Sequence, residues 1–292
     1  MSIDVEDWFQ VENLRGTIAR EAWPAQELRV ERNVDRMLEL MAAADVRATC
    51  FVLGWIAERC PRLVERIAAA GHEIASHGYG HELLSQLTPD TFREDVGRSK
   101  TLLEQMVATE VVGYRAPSFS ITDWAIPVLA ELGFTYDSSF FPTFAHDRYG
   151  RLSGIDGRAA VSEPLPGFHE VSISCLRVGS RALPWGGGGY FRLLPYPLFR
   201  LGARRILETA EPYVFYIHPW EIDPRQPRLK GLPRASAFRH YVGLDRCETR
   251  FERLLRDFSW SSIRDLLREN SPQTDARVAT GYEPVATASR SR

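Results

Sequence analysis

Over about the first 140 residues of this chain, short strand-like segments alternate with longer segments of helical periodicity. Strand-like segments, rich in β-branched and aromatic residues, lie at 2–9, 47–54, 72–77, 111–115 and 134–139. Between them, apolar residues recur at the three- and four-residue spacing of amphipathic helices. Strands that alternate with helices in this way predict parallel βαβ units, and hence an α/β sheet or barrel.

The sequence also marks where several helices begin. Asn33 can cap a helix, because apolar residues follow it at helical spacing through Met41. Thr88 followed by Pro89 is a strong start, since a capping hydroxyl precedes a proline at the first helical position. Further helices are predicted at 123–132, near 196–210, near 240–256 and after residue 260.

The regular rhythm stops between about residues 141 and 195. Proline and glycine become dense there, in PLPG at 164–167 and WGGGGYF at 185–191, and helical periodicity disappears. We therefore predict an irregular or β-rich insertion after the fifth strand. The glycine run is interpreted as either a flexible lid or a tight chain reversal.

The alternation resumes with the strand YVFYIH at 213–218 and a last strand, FSW, at 258–260. The tail at 271–292 is rich in Thr, Ala and Ser, and we expect it to be disordered. A single domain over residues 1–270 is long enough to bury a substantial core.

Composition and charge exclude some classes of protein. Hydrophobic residues make up 44% of the chain and charged residues 25%, which are globular values. The net charge of -2 argues against a nucleic-acid partner, because no basic excess exists to neutralise phosphates. Lysine and arginine are spread along the chain, which argues against a polybasic membrane patch.

Cysteine usage and the first residues indicate the compartment. The four cysteines lie far apart without a CxxC pair, which is typical of reduced thiols. MSIDVEDW has neither the basic nor the apolar region of a secretory signal, and no apolar run approaches the ~20 residues of a membrane span. We expect a cytoplasmic location, with association to a membrane as a further option.

Polar residues that can do chemistry collect at the ends of the predicted strands. They are Asp4, Glu6 and Asp7, then His77 and His81, then Arg115, Asp137 and His218. In an α/β sheet or barrel, the carboxyl ends of the strands converge on one face, where active sites lie. Each residue alone has a structural explanation, such as a surface ion pair for Arg115 or a turn cap for Asp137. Together and in this order, they predict one active site.

The histidine pair is common by chance and indicates a metal site only together with the other residues. His77 and His81 are four apart, and Gly78 and Gly80 between them suit a loop that approaches a ligand closely. Two imidazoles and one carboxylate form a metal site that leaves positions open for water and substrate.

The ordered segments SIDVED, SHGYGH, RAPS, YDSS and YIHP resemble the motifs of polysaccharide deacetylases with a NodB homology domain, carbohydrate esterase family 4. The opening SIDVEDWFQVE and the later stretch LPWGGGGYFRLLP resemble members of the branch found beside exosortase and exopolysaccharide loci. The resemblance spans residues 1–270 and implies a distorted (β/α) barrel of the NodB type, with the insertion at about 141–195.

The resemblance implies a role for each residue of the first motifs. Asp4 corresponds to the catalytic base, and Arg115 to the arginine that holds this base by an ion pair. His77 and His81 correspond to the two metal histidines. The residue after Asp4 is a valine where the family usually has the metal-binding aspartate. A strand places alternate residues on the same side, so Glu6 is the first candidate for the metal carboxylate and Asp7 the second.

The later motifs supply the acid and the substrate contacts. His218 corresponds to the general acid, and Asp137 to the aspartate that keeps it protonated. Phe141 stands where the family has tryptophan, so the pocket wall differs. Ser118 stands where the family has tyrosine, whose backbone N–H stabilises the oxyanion. Trp220, directly after His218-Pro219, is the best placed aromatic for a sugar platform.

The activity implied is metal-dependent removal of N-acetyl groups from amino sugars of a polysaccharide or its precursor, in exopolysaccharide biosynthesis. The cofactor is one divalent ion, with zinc as the default, and the partner is an N-acetylated oligo- or polysaccharide. Two alternatives stay open. One is a C–N hydrolase or deformylase of the same fold, acting on a small amide or a lipid-linked sugar. The other is a catalytically inactive carbohydrate-binding protein.

Overall fold

The computed structural model describes residues 1–143 and 149–270. Its strands are β1 (Ser2–Val5), β2 (Thr49–Val52), β3 (Glu73–Ser76), β4 (Gly113–Tyr114), β5 (Tyr136–Asp137), β6 (Val161–Leu165), β7 (Phe168–Val171), β8 (Cys175–Val178), β9 (Arg181–Pro184) and β10 (Tyr216–Ile217). Eight of them form one sheet in the order β10-β1-β2-β3-β4-β5-β7-β6, and β8 and β9 form a separate hairpin.

Helices separate most of these strands in sequence. They are α1 (Val30–Ala43), α2 (Gly54–Arg59), α3 (Pro61–Ala69), α4 (Pro89–Val107), α5 (Ala125–Glu131), α6 (Gly188–Leu193), α7 (Tyr196–Leu207), α8 (Arg234–Tyr241), α9 (Leu244–Asp257) and α10 (Ile263–Asn270). Short 3-10 helices lie at Trp8–Gln10, Glu12–Leu14, Arg20–Ala25, Leu84–Gln86, Pro117–Phe119 and Pro219–Ile222.

The sheet is parallel from β10 through β7, and only β6 runs antiparallel to its neighbour. The β1–β2 register pairs Asp4 with Phe51, and the β4–β5 register pairs Tyr114 with Asp137. Parallel neighbours bring their carboxyl ends to the same edge, as the sequence predicted. The predicted α/β class and barrel-like architecture are therefore confirmed, as a curled sheet that forms an open half-barrel.

The insertion after β5 closes part of the open side. The hairpin β6–β7 extends the sheet, and the segment after it runs back beside β10. Tyr216 N donates to Gly186 O at 2.7 Å, and Gly187 forms a bridge with Tyr216. A Cβ on Gly187, whose φ is 131°, would lie 2.0 Å from Tyr216 O, so only glycine fits there. The glycine run therefore lets two backbone segments approach closely and then starts α6.

Two local predictions need correction. The first helix begins at Val30, before Asn33, because the Asp7 carboxylate accepts the backbone N–H groups of Arg29 and Val30 from outside the helix. Residues 258–260 are not a strand. Trp260 instead packs its ring against Phe215, at 6.0 Å between centroids. By contrast, Thr88 caps α4 and Pro89 occupies its first turn, as predicted.

The core lies on both faces of the sheet. Phe191, Phe199 and Phe215 pack edge to face on one side of β10, with centroids 4.9–6.2 Å apart. The predicted tail, 271–292, lies outside the described residues. Within the described part of the chain, every helix is too short or too polar to cross a bilayer.

Candidate active site

Five of the eight predicted strand-end residues line one cavity of about 380 Å³: Asp4, Glu6, His77, His81 and His218. Ser118 and Trp220 also line it. Other parts of the wall come from the segment 11–13, from the insertion, including Tyr190 and Leu193, and from α8, including Phe238 and Arg239. The sequence thus predicted the floor of the cavity, whereas its outer wall was not predicted.

Glu6, His77 and His81 form a cluster with the geometry of a metal site. One ligand atom from each residue lies within 4.8 Å of the other two, and all three residues are buried. Glu6 Oε2 lies 2.6 Å from His81 Nε2, and it accepts no hydrogen bond from any other group in the described structure. A buried carboxylate oxygen and an imidazole nitrogen this close together are suited to share a cation.

The protein fixes the ring of His77 for this purpose. His77 Nδ1 lies 2.8 Å from the backbone oxygen of Arg115, so Nδ1 carries the proton and donates it. Nε2 then carries a free lone pair and can bind a metal ion. Burial lowers the pKa of His77 to about 4, and the imidazole is neutral at physiological pH.

Asp95 of α4 shapes the loop that carries His81. Its carboxylate accepts the backbone N–H of Tyr79 at 2.7 Å and that of Gly80 at 2.9 Å. His81 follows with a φ of 55°, in the left-handed region. The carboxylate therefore holds the loop in the conformation that turns His81 towards Glu6.

Charge also suits a cation at this cluster. Burial by itself raises the pKa of Glu6, but His81, His218 and His77 outweigh it and bring the pKa down to about 2. An ionised carboxylate grouped with two imidazole nitrogens is the donor set of a divalent ion such as zinc. The residues present thus fit the predicted cofactor.

Asp7, the second candidate for the metal carboxylate, faces away from the histidines. It caps the 3-10 helix at Trp8–Gln10 and accepts from Arg29 N and Val30 N, at 2.7 and 2.9 Å. The structure therefore groups Glu6, and not Asp7, with His77 and His81.

Asp4 and Arg115 form a fully buried ion pair. Arg115 Nη1 donates to Asp4 Oδ1 at 2.7 Å and to Ser2 Oγ at 2.8 Å. Arg115 Nε and Nη2 donate to the backbone and hydroxyl oxygens of Ser138, and the guanidinium lies 4.1 Å from the ring centre of Phe51. These contacts fix one oxygen of Asp4 and leave Oδ2 on the side of the cavity.

Asp137 is buried behind this ion pair. Its Oδ1 accepts from Ser139 Oγ at 2.6 Å, and its register partner on β7 is Glu170. Burial raises the pKa of Asp137, and burial together with Asp137 raises the pKa of Glu170 well above its usual range. The two carboxyl groups therefore share a proton. The structure does not bring Asp137 to His218.

Glu221 occupies the position beside His218 instead. His218 Nδ1 lies 2.6 Å from Glu221 Oε1, and Arg192 Nε donates to Glu221 Oε2 at 2.6 Å. His218 Nε2 points into the site, 3.6 Å from Glu6 and 3.8 Å from Asp4. Burial opposes protonation of His218, but Glu6, Glu221 and Asp4 outweigh it and raise its pKa to about 9.

Sequence reasoning missed Glu221 and Arg192. A signal existed in HPWE, because a carboxylate three residues after the histidine can bond back to it across one turn. Glu221 also accepts the backbone N–H of His218 at 3.2 Å. Arg192 gave no local signal, since it lies 29 residues away on α6.

Of the remaining predicted residues, Trp220 and Ser118 line the cavity, whereas Phe141 does not. Trp220 is 4% exposed, stacks on His218 and donates from Nε1 to Glu6 Oε1 at 3.2 Å. It therefore packs below the site, whereas Phe238, 57% exposed, offers the open ring. Ser118 lies on the cavity wall with a φ of 52°. Phe141 is buried and stacks on Tyr149 at 5.0 Å.

Two family models match the chain in succession. The model for polysaccharide deacetylases matches residues 24–136, and a domain of unknown function, DUF3473, matches residues 138–268. The first match includes His77, His81 and Arg115, whereas His218 lies in the second.

Two curated relatives share part of this chain. A peptidoglycan deacetylase-like protein, FGM2, from Gibberella zeae is 34% identical over 36% of this chain and 32% of its own length. A peptidoglycan-N-acetylglucosamine deacetylase from Bacillus cereus is 26% identical over 46% of this chain and 52% of its own length. The chain thus spans about a third and about half of these relatives.

A solved structure has a similar fold over nearly the whole chain. It is a candidate polysaccharide deacetylase from Mycobacterium smegmatis, with a TM-score of 0.58 and 23% identity, covering 92% of this chain and 88% of that one. Together with the family match, it confirms the predicted fold class. Residues 24–136 of the chain are therefore similar to polysaccharide deacetylases.

Proposed function

We propose that this protein is a metal-dependent hydrolase that removes N-acetyl groups from the amino sugars of a polysaccharide or of its precursor. One observation carries the proposal. A metal-type triad, a carboxylate fixed by a buried arginine and a carboxylate-held histidine face one cavity. These are the parts that hydrolysis of an amide needs.

Glu6, His77 and His81 would hold the ion. A divalent cation there would polarise the acetyl carbonyl and acidify the attacking water. Zinc is the first choice for two imidazole nitrogens and one carboxylate oxygen. The three ligands leave room for water and substrate on the side of the cavity.

Asp4 is proposed as the general base. Its Oδ1 is held by Arg115, so its orientation is fixed, and Oδ2 stays available to take a proton from the attacking water.

His218 is proposed as the general acid. Glu221 holds Nδ1, which aims Nε2 into the cavity. Nε2 can therefore give a proton to the leaving amine, which otherwise leaves poorly. Glu221 acts through His218 as a positioning residue, and Arg192 fixes Glu221 in turn. We propose no direct role for Asp137 at His218.

The oxyanion and the sugar need further contacts. We propose the backbone N–H near Ser118 as the oxyanion donor, because Ser118 lines the cavity beside the triad. The exposed ring of Phe238 at the mouth offers an apolar face for a sugar.

The test is acetate release from N-acetylglucosamine oligomers by protein stripped of metal and then reloaded with zinc. We expect release only after reloading, and loss of release in Asp4→Asn with zinc still bound. Zinc binding without release from oligomers, but with turnover of small amides or formamides, would favour the alternative C–N hydrolase. If the zinc-loaded wild type turns over none of these substrates, and Asp4→Asn binds sugar as well as the wild type, a binding protein would be favoured.

The role in exopolysaccharide biosynthesis and the cytoplasmic location stay predictions from the sequence. Cell fractionation with an antibody against the chain tests the location, and recovery in the periplasm would contradict it. Deleting the gene and comparing the N-acetyl content of secreted polysaccharide tests the role. An unchanged acetyl content would contradict it.

A further inference from the structure

Positive charge is concentrated in one part of the chain. No carboxylate lies between Glu170 and Glu208, although the whole chain has a net charge of -2. The stretch contains six arginines, which are Arg177, Arg181, Arg192, Arg200, Arg204 and Arg205. Two of them have acidic partners, since Arg192 pairs with Glu221 and Arg200 with Asp257. The other four are exposed.

Exposed apolar side chains collect in the same stretch. Of the eight large hydrophobic residues that are most exposed among the described residues, six lie in it: Val178, Leu183, Leu193, Leu198, Leu201 and Leu207. Their exposed fractions run from 40% to 57%. Single exposed leucines are ordinary, but a concentration of them marks an interaction surface.

The fold brings these residues onto neighbouring elements. Helix α7 buries Tyr196, Phe199, Gly202, Ala203 and Ile206. Leu198, Leu201, Arg204 and Arg205 of the same helix are exposed. The helix packs against β8 of the β8–β9 hairpin. We call the exposed side chains of these two elements the arginine–leucine surface, formed by Val178, Arg181, Leu183, Leu198, Leu201, Arg204 and Arg205.

We propose that the arginine–leucine surface docks this protein onto an anionic lipid bilayer. Arginines attract the acidic headgroups, and leucine and valine side chains enter the boundary between headgroups and acyl chains. The two elements contain no acidic residue that would repel the bilayer. An anionic glycan or a nucleic acid could use the arginines, but aliphatic side chains add nothing there, since sugars and bases stack on aromatic rings.

The chain leads from the cavity wall directly into this surface. Leu193 lines the cavity wall and is 48% exposed, and α7 begins three residues later. Docking would therefore place the mouth of the cavity close to the headgroup layer. The docking inference does not rest on the proposed chemistry.

The sequence reading found no polybasic patch because lysines and arginines do not form a run. The informative features were the missing carboxylates and the alternation of leucine with arginine in FRLLPYPLFRLGARRIL. The contact between the β8–β9 hairpin and α7, which joins these residues into one surface, could not be read from the sequence.

The charge test is cosedimentation with phosphatidylcholine vesicles, with and without phosphatidylglycerol. We expect the wild type to bind only the vesicles that contain phosphatidylglycerol, and to be released by high salt. Arg204→Glu/Arg205→Glu should weaken binding at least about tenfold. The control Arg62→Glu/Arg268→Glu reverses two exposed arginines elsewhere and gives the same net charge, and it should bind like wild type. Equal weakening in both, or no wild-type binding at low salt, would overturn the proposal.

The apolar test separates a bilayer from a polyanion. Leu201→Gln should weaken vesicle binding about tenfold, whereas Leu28→Gln, at a leucine of similar exposure outside the surface, should not. Binding to a soluble polyanion that equals vesicle binding, and that Leu201→Gln leaves unchanged, would contradict a bilayer. Acetate release from soluble oligomers should be the same in all these variants, which separates failure of docking from failure of the chemistry.

Discussion

The two parts of the chain that build the cavity are organised differently. Residues 1–137 are regular strand–helix units, and their strand ends carry Asp4, Glu6 and the two histidines. The described residues from 138 to 270 are less regular, and they carry His218 on a turn held by Glu221 and Arg192. In our account, the first part holds the metal and the base, and the second holds the acid. Substitutions in the two parts should therefore have different effects on zinc binding and on catalysis.

The largest effect is expected from removing a metal ligand in the first part. In His81→Ala, only one carboxylate and one imidazole remain, so zinc binding and acetate release should both fall below detection. Titration calorimetry with zinc, followed by the acetate assay, measures the two losses. His72→Ala, at a buried histidine outside the cavity, is the control and should still bind zinc. Tight zinc binding by His81→Ala would contradict the triad.

Asp4→Asn should separate catalysis from metal binding within the first part. The amide keeps a contact to Arg115 but cannot take a proton, so acetate release should fall about 10²- to 10⁴-fold. Zinc affinity should stay close to that of the wild type, because Asp4 is not among the three clustered ligands. Parallel loss of zinc would instead make Asp4 a ligand.

Glu221→Gln should have a smaller effect and should act on the second part alone. Glutamine can still contact His218 but lacks the charge that favours the protonated imidazole, so kcat should fall about 10- to 100-fold. Zinc affinity should be unchanged. Glu221→Asp, which keeps the charge, should recover part of the lost rate. Equal rates in the glutamine and aspartate variants would contradict a charge effect.

Asp95→Ala tests whether the Asp95 carboxylate holds the loop that carries His81 in the first part. Without this carboxylate, the N–H groups of Tyr79 and Gly80 lose their acceptor and the loop of His81 is released. Zinc affinity should fall about 10- to 100-fold, with little change in kcat at saturating zinc. Glu94→Ala, at an exposed neighbour on α4, is the matched control. Wild-type zinc affinity in Asp95→Ala would show that the loop holds itself.

The same division explains what the sequence could predict. The strand ends of the first part follow from periodicity, so Asp4, His77 and His81 could be expected on one face. The sequence ranked Glu6 before Asp7 as the metal carboxylate but did not exclude Asp7. That depends on whether the Asp7 side chain turns towards the backbone N–H groups of Arg29 and Val30. The partner of His218 was also missed, since burial of Arg192 beside Glu221 depends on the packing of α6.

The most direct measurement compares amide and ester hydrolysis by zinc-loaded His218→Ala. An amine needs a proton to leave, whereas 4-nitrophenolate does not. We predict a loss of about 10²- to 10⁴-fold on N-acetylglucosamine oligomers. Cleavage of 4-nitrophenyl acetate and zinc affinity should stay close to wild type. An equal loss on both substrates, or a loss of zinc, would contradict the separation of acid and metal between the two parts of the chain.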